Sequence, residues 1–248
     1  MAEIQSLARG LVILEELAEA PDGLGITELA AKHTMDKGNM SRLMQTLANY
    51  GFAEKDPQTR RYVLGPQIVR LSRAVLTRMP LRDAAKPFLD QLVAQTGECA
   101  HLAILAQHQA LYIDQVDSPS VLRVTTGVGT LAPLYCTALG KILLAFGGAQ
   151  KPAEMPAFTL RTITDPTLLE HHLDQVRTLG YAVDDEEYLA GVRCIAVPVI
   201  DYRSKCIAAI GISGPANRLT LEALPKTAQV VLDIGRSLSS RLSFKDET

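Results

Sequence analysis

The feature that most constrains the fold is a set of three short amphipathic segments within the first 65 residues, followed at once by two strand-like runs. In the first segment apolar residues recur every three or four positions, which indicates a helix whose buried stripe is Leu7, Leu11, Leu14 and Ala18. Pro and Gly residues between 21 and 25 end this helix. A small, mainly helical domain is therefore expected at 1–65.

Two further helices are predicted, separated by a tight turn at 33–35. Thr27 stands where an N-cap residue belongs, ahead of the segment 28–32. Asp36 can cap a third helix at 37–50, which Gly51 ends as the residue after the C-cap. The buried stripe of this third helix is Met40, Leu43, Met44 and Leu47.

The opposite face of the third helix carries small and hydrogen-bonding side chains, which are Gly38, Ser41, Arg42, Gln45 and Asn49. Such a face can approach base edges closely in the major groove of DNA and make directional contacts there. By itself the pattern also fits an ordinary solvated helix face. The elements that follow decide between the two interpretations.

Residues 52–55 and 61–64 are strand-like and flank a Pro-containing turn at 56–59, which predicts a hairpin. A basic hairpin directly after a helix-turn-helix is typical of a wing that contacts phosphates. The net charge of −2 says little, but basic residues outnumber acidic ones between 32 and 61. The predicted DNA contacts are Lys37, Gly38, Asn39, Ser41, Arg42, Gln45, Lys55, Arg60 and Arg61.

Beyond residue 65 the pattern of apolar and polar residues changes. Residues 66–80 predict a linker helix that Pro80 interrupts, and 81–96 predict another helix. Short apolar runs then alternate with helical segments, which indicates an α+β domain over 81–248. The predicted strands are 99–105, 110–116, 121–125, 195–200 and 206–213, and the predicted helices are 137–145, 166–179 and 219–242. We expect a mostly antiparallel sheet.

Several function classes find no support. No apolar run approaches the roughly 20 residues that span a bilayer, and the N-terminus lacks a signal-peptide pattern, so a cytoplasmic protein without membrane contact is expected. The four cysteines are far apart, so neither a disulfide framework nor a zinc site is predicted, and no cofactor motif occurs. A nucleophile–base pair of Cys194 or Cys136 with His101 is the enzymatic alternative.

Ordered motifs along nearly the whole chain resemble the IclR family of bacterial transcription regulators. They are SLARG at 6–10, the segment 28–43, RYVLG at 61–65, TGE at 96–98, TALGK at 137–141, Arg177 with GYA at 180–182, DDEE at 184–187, GVRC at 191–194 and ISGP at 212–215. The resemblance implies an N-terminal all-α winged helix-turn-helix, a linker helix and a C-terminal α+β GAF-like effector-binding domain. It also implies a homodimer or dimer of dimers on double-stranded operator DNA.

The resemblance further implies a pocket for a small organic acid effector. Thr137 can cap a helix whose first backbone N–H groups suit a carboxylate. The effector-binding residues carried over are Val121, Ala132, Ala138, Leu139, Asp184, Cys194 and Ser213. Each has a simpler alternative, since Cys194 can be a core residue, Ser213 a satisfied strand hydroxyl, and Asp184 part of a solvated acidic loop.

Several positions depart from the family pattern. Thr34 replaces a frequent glycine in the turn, and 36–39 read Asp-Lys-Gly-Asn where many relatives have Pro-Lys-Ser-Thr, so the operator is expected to differ. Gly211 replaces a serine, which together with Leu139 hints at an effector with more apolar bulk, plausibly an aromatic acid. A DNA-binding or oligomerisation protein that senses nothing is the remaining alternative.

Overall fold

The computed structural model describes residues 4–124 and 126–243. The chain divides into two compact units, Met1–Met79 and Pro80–Thr248. No helix within the described ranges is long and apolar enough to cross a membrane. Each unit has its own hydrophobic core and is described by itself.

The first unit contains four helices and one hairpin, α1 (Gln5–Glu19), α2 (Ile26–Lys32), α3 (Lys37–Asn49), β1 (Ala53–Lys55), β2 (Tyr62–Leu64) and α4 (Gln67–Leu76). One apolar face from each of the first three helices meets the hairpin in a core made of Ile13, Leu17, Leu29, Ala30, Met40, Met44, Ala53 and Tyr62. Burial of these side chains supplies most of the free energy that holds the short helices together. The buried stripe predicted for α1 was wrong, because Leu7, Leu11 and Ala18 are exposed and Ile13 and Leu17 are buried instead. The predicted winged helix-turn-helix is confirmed.

The helix boundaries follow from the capping residues. Asp36 caps α3 as expected, since its Oδ1 accepts a hydrogen bond from the Asn39 amide at 2.8 Å. The expectation for Thr27 was wrong, because α2 begins one residue before it, with Gly25 as the N-cap. The Glu28 side chain reaches back to the Gly25 amide at 3.5 Å, so a carboxylate at the third helical position takes the role expected of Thr27.

The second unit contains α5 (Pro80–Thr96), β3 (Cys99–Ala106), β4 (Gln109–Val116), β5 (Leu131–Ala132), α6 (Ala138–Phe146), α7 (Pro166–Leu179), β6 (Ala182–Asp185), β7 (Val192–Ile200), β8 (Cys206–Pro215) and α8 (Leu224–Ser243). Its six strands form one antiparallel sheet in the order β5-β4-β3-β8-β7-β6. The predicted α+β domain with an antiparallel sheet is confirmed.

Helices cover both faces of this sheet. Neighbouring side chains of β7 point to opposite faces, and each face packs against helices. Ala196 packs into the core that includes α6 and α7. Its neighbour Val197 points the other way, and a Cβ built on Gly235 of α8 would lie 2.4 Å from the Val197 side chain. Only a glycine therefore lets α8 approach β7 this closely. The apolar run of β7 is explained by burial on both faces.

Three sequence-based predictions of secondary structure were wrong. Residues 121–124 form no strand, and Thr125 lies outside the described residues. The last helix begins at Leu224 rather than at 219, because 219–223 form a turn. The strands β5 and β6 were missed. Asp184 lies in β6 and is buried, so the alternative that placed it in a solvated acidic loop is wrong.

Candidate functional site

The exposed face of α3 is the first candidate site. The structure leaves Lys37, Gly38, Asn39, Ser41, Arg42 and Gln45 all exposed, while Met40 and Met44 are completely buried. Local contacts hold the polar groups of this face. Asp36 Oδ2 accepts from Asn39 Nδ2, and Asn39 Oδ1 in turn accepts from Arg42 Nη2. The Arg42 guanidinium is thus oriented by a chain of side chains spaced one helical turn apart, which the sequence analysis did not foresee.

The wing is the second part of this surface. β1 and β2 pair in antiparallel register from Ala53↔Leu64 to Lys55↔Tyr62, and the Lys55 ammonium lies 5.6 Å from the Tyr62 ring centroid. Lys55 and Arg60 are exposed at the hairpin. Arg61 was predicted to contact DNA, but its guanidinium forms hydrogen bonds within this unit.

Arg61 ties the hairpin to the start of α2. Its Nε donates to the Gly23 carbonyl at 2.9 Å, and its Nη2 donates to Glu28 Oε2 at 2.8 Å. Gly23 lies in the loop before α2, and Glu28 lies in the first turn of α2. The guanidinium therefore fixes the wing within this unit, and any phosphate contact by Arg61 has to compete with these two hydrogen bonds.

The turn before α3 carries backbone strain. Thr34 has a φ of +51°, in the left-handed region that a β-branched residue rarely adopts. This is the position where a glycine is frequent in the family that the sequence resembles. Thr34 therefore adopts a backbone conformation that glycine would adopt without steric cost.

A buried cavity of about 40 Å³ in the second unit is the other candidate site. Strand register builds one wall, because Asp184 pairs with Cys194 and Cys194 pairs with Ser213, which sets these side chains in a row across β6, β7 and β8. The start of α6 forms the opposite wall. The remaining lining residues are His101, Tyr112, Val124, Thr126, Thr130, Ala132, Thr137, Ala138, Leu139, Tyr188, Leu189, Val192, Ile195 and Ile212.

The N-terminus of α6 presents backbone donors to this cavity. Thr137 caps the helix by accepting from the Gly140 amide at 3.1 Å. The amides of Ala138 and Leu139 have no acceptor among the described residues. A Cβ at position 140 would lie 2.5 Å from the Leu134 backbone, so glycine is required for α6 to sit here. Two free N–H groups and the positive end of the helix dipole favour an anion at this point.

Asp184 faces this helix end from a buried position. Its Oδ1 accepts hydrogen bonds from the Glu187 amide at 2.7 Å and the Tyr188 amide at 3.4 Å. Burial raises the pKa of Asp184 to about 7, and the neighbouring Glu187 carboxyl adds to the rise while Lys141 opposes it. Burial also raises the pKa of the Cys194 thiol, with the Asp184 carboxyl as a second cause. Both groups are therefore neutral over much of the range below pH 7.

Family models match both halves of the chain. The IclR helix-turn-helix domain matches residues 6–57, and the bacterial transcriptional regulator IclR C-terminal domain matches residues 73–240. The chain belongs to the IclR family. It is a DNA-binding transcriptional regulator of the IclR type.

Relatives support the same assignment over the full length. The glycerol operon regulatory protein of Streptomyces coelicolor is 36% identical over 245 residues, covering 96% of each chain. The HTH-type transcriptional regulator XynR of Escherichia coli is 32% identical and covers 98% of this chain and 99% of its own. The crystal structure of Thermotoga maritima IclR is 30% identical with a TM-score of 0.74, covering 98% of this chain and all of that one.

Most IclR-type effector residues predicted from the sequence come together at the cavity, namely Ala132, Ala138, Leu139, Asp184, Cys194 and Ser213. Val121 does not, because it is completely exposed and no part of the lining. Val124 and Thr126, further along the same segment, lie at the cavity instead. The carry-over by resemblance put Val121 at the cavity, whereas residues 121–124 form no strand and the Val121 side chain is exposed.

The argument from Gly211 was also wrong. A Cβ at this position would lie 2.3 Å from the Ile195 carbonyl oxygen, so the residue faces the backbone of β7 and does not line the cavity. Its missing side chain leaves no extra room for a ligand. Leu139 does line the cavity and fills part of it.

His101, Tyr112 and Tyr188 are cavity residues that the sequence analysis did not assign to it. His101 Nε2 lies 2.6 Å from Ser213 Oγ, whereas the enzymatic alternative required it beside a cysteine. Burial raises the pKa of Cys136 to about 12, which opposes thiolate formation there. Among the described residues no group of three or more His, Cys, Asp or Glu side chains is placed to hold a metal ion.

Proposed function

We propose that this IclR-type regulator binds operator DNA through the exposed face of α3 and the β1–β2 wing, and that a small organic acid in the α6 cavity modulates its activity. The single observation that carries the second half is that one cavity is lined by two helix amides without an acceptor among the described residues and by the polar row Asp184, Cys194 and Ser213. A carboxylate at Ala138 and Leu139 would satisfy both amides and gain from the helix dipole.

The size of the cavity restricts the effector class. A volume of about 40 Å³ exceeds the roughly 10–15 Å³ that a single water molecule needs. A compact aliphatic acid fits this space directly. An aromatic acid is the second candidate, which the rings of Tyr112 and Tyr188 in the lining favour.

Apolar faces that the first unit leaves uncovered support a homodimer. On α1, Leu7 is 59% exposed and Leu11 is 55% exposed, and none of the residues of α4 is buried although Val69 and Val75 are apolar. A homodimer that pairs these faces would bury them and set two copies of α3 against two half-sites. Dimers of such dimers extend the same arrangement.

A thermal-shift panel and a DNA-binding titration test this function together. We expect at least one aliphatic or aromatic carboxylate to raise the melting temperature, by a stabilisation that grows with the logarithm of its concentration over Kd once the ligand is in excess. The same compound should change the affinity for a duplex from the region upstream of the protein's own gene, where we propose a catabolic operon. A panel without any shift, combined with intact DNA binding, would favour a regulator that senses nothing.

A further inference from the structure

One pair of cavity side chains determines which ligand groups the cavity accepts. His101 projects from β3 and its Nε2 lies 2.6 Å from Ser213 Oγ on β8, a hydrogen bond between residues 112 positions apart. Their side chains are almost wholly buried, with 2% of His101 and 4% of Ser213 exposed. Water cannot substitute freely for either partner. The tautomer of His101 therefore decides which of the two atoms donates the proton.

The surroundings of His101 decide that tautomer. On β4, Gln115 pairs directly with His101, and its Oε1 is a buried atom without a hydrogen-bond partner among the described residues. His101 Nδ1 is likewise buried and without a partner in the described part of the chain. The amide nitrogen of Gln115 donates to Asp117 Oδ1, so the oxygen is the amide atom that is left without a partner among the described residues. An amide oxygen can only accept, so the two atoms complement each other when Nδ1 carries the proton.

The imidazole is neutral in this environment. Burial lowers the pKa of His101 to about 4, against smaller opposing effects of Asp117 and of the Gln115 side chain. A neutral ring with hydrogen on Nδ1 has only a lone pair on Nε2, so Ser213 must donate its single hydroxyl proton to His101. Ser213 Oγ is then left with lone pairs alone for any molecule in the cavity.

We propose that His101 is a specificity-determining residue, which makes Ser213 an acceptor and thereby selects an organic acid bearing a hydroxyl group over the corresponding keto acid. The inference rests on the proposed effector function. The ligand carboxylate binds the amides at the start of α6, and its hydroxyl donates to Ser213 Oγ on the opposite wall. A keto oxygen at that position would face the Ser213 lone pairs and leave them unpaired, which is unfavourable in a buried site.

Matched pairs of probe acids test the selectivity. The pairs are glycolate with glyoxylate, lactate with pyruvate, and mandelate with phenylglyoxylate, measured by calorimetry on the full chain. For the pair that binds, we expect the hydroxy acid to bind about tenfold more tightly or better. Equal affinity, or preference for the keto acid, overturns the role of His101 while the effector function stands. Absence of binding by every probe overturns the effector function itself, and this inference with it.

Two histidine variants test whether the preference for the hydroxy acid depends on His101. His101→Phe keeps the ring volume but removes the acceptor, so the Ser213 hydroxyl can donate to the ligand and the preference should fall at least several-fold toward the keto acid. His171→Phe, at an exposed histidine of α7, is the matched control and should keep the wild-type preference. An unchanged preference in a folded His101→Phe variant contradicts the proposal.

A spectroscopic measurement on the wild-type protein covers the case in which His101→Phe does not fold. Nitrogen chemical shifts of the His101 ring distinguish the two neutral tautomers. We expect Nδ1 to be protonated and Nε2 to be unprotonated across pH 6–8. The reverse tautomer, with the proton on Nε2, would make Ser213 a donor to the ligand and would overturn the inference without any variant.

Discussion

Lys141 and Glu187 form a buried ion pair directly behind the α6 end of the cavity. The Lys141 side chain has no exposed surface, and Glu187 retains 6%. Lys141 Nζ also donates to the Val183 carbonyl at 3.0 Å and lies 3.2 Å from His172 Nε2. The pair therefore joins α6, the end of β6 and α7 at one point, and it fixes the turn whose amides hold Asp184.

Removing one partner of this pair should be strongly destabilising. Lys141→Met leaves the Glu187 carboxylate buried without its cation, and we expect a loss of about 3–5 kcal/mol in the free energy of unfolding, measured by urea denaturation. The double variant Lys141→Met with Glu187→Leu should recover much of that loss. Lys86→Met, at a half-exposed lysine of α5, is the control and should change stability little. Equal stability of Lys141→Met and wild type would contradict the account.

Asp184 should make stability depend on pH. Its pKa in the folded protein is raised to about 7 from the ordinary 3.8, so the folded state binds more protons than the unfolded state between these values. The stabilisation is complete below about pH 4 and is lost as the pH rises through 7. Asp184→Asn removes this dependence and keeps an acceptor for the Glu187 and Tyr188 amides.

We therefore expect Asp184→Asn to be more stable relative to wild type at pH 8 than at pH 5, by an amount on the order of 2–4 kcal/mol. Paired melting curves at the two pH values measure the difference. Asp233→Asn, at an exposed aspartate of α8, is the control and should show no such difference. A wild-type protein that gains stability relative to Asp184→Asn as the pH rises would reverse the predicted sign.

Relief of the strain at Thr34 should stabilise the DNA-binding unit. At a φ of +51° a glycine avoids the steric cost that a β-branched residue meets. We expect Thr34→Gly to add about 0.5–1 kcal/mol, visible as a higher melting temperature. Thr27→Gly tests the opposite situation, because Thr27 lies in the first turn of α2 and should lose stability. A loss on Thr34→Gly would show that the turn is not strained.

Arg42 should contribute to operator affinity, and Asn39 should position it. We expect Arg42→Ala to weaken operator binding by about 1–3 kcal/mol in a fluorescence anisotropy titration. Asn39→Ala frees the guanidinium from its hydrogen bond and should weaken binding to a smaller extent. Arg236→Ala, 70% exposed on α8, removes a charge elsewhere and serves as the control. Unchanged affinity for Arg42→Ala would remove α3 from the proposed contact surface.

Capping residues and apolar periodicity were sufficient to predict the longer helices and strands. The stripe through Met40 and Met44, together with the Asp36 cap, predicted α3 almost to the residue. The strand runs at β3, β4, β7 and β8 were also predicted, since each is long and apolar. The two-residue β5 and the four-residue β6 were missed, because so short a strand has little periodicity of its own and depends on its pairing partner.

The cavity was only partly predictable for a related reason. Asp184, Cys194 and Ser213 were assigned by resemblance, while their alignment in one row depends on strand register. The contact between His101 and Ser213 joins positions 112 residues apart and leaves no local signal. Val121 was also carried over by resemblance, and no local signal distinguished it from Val124, which lines the cavity.

The most direct test of the central claim is operator affinity measured with and without an acid that binds the cavity, in wild type and in Ser213→Leu. Leucine at this position fills the cavity, whereas the proposed DNA contacts all belong to the first unit. The account predicts equal affinity of the two proteins for the operator in the absence of acid, and a ligand-dependent change in wild type alone. An identical response to the acid in Ser213→Leu would contradict the claim that the cavity is where the regulator senses its effector.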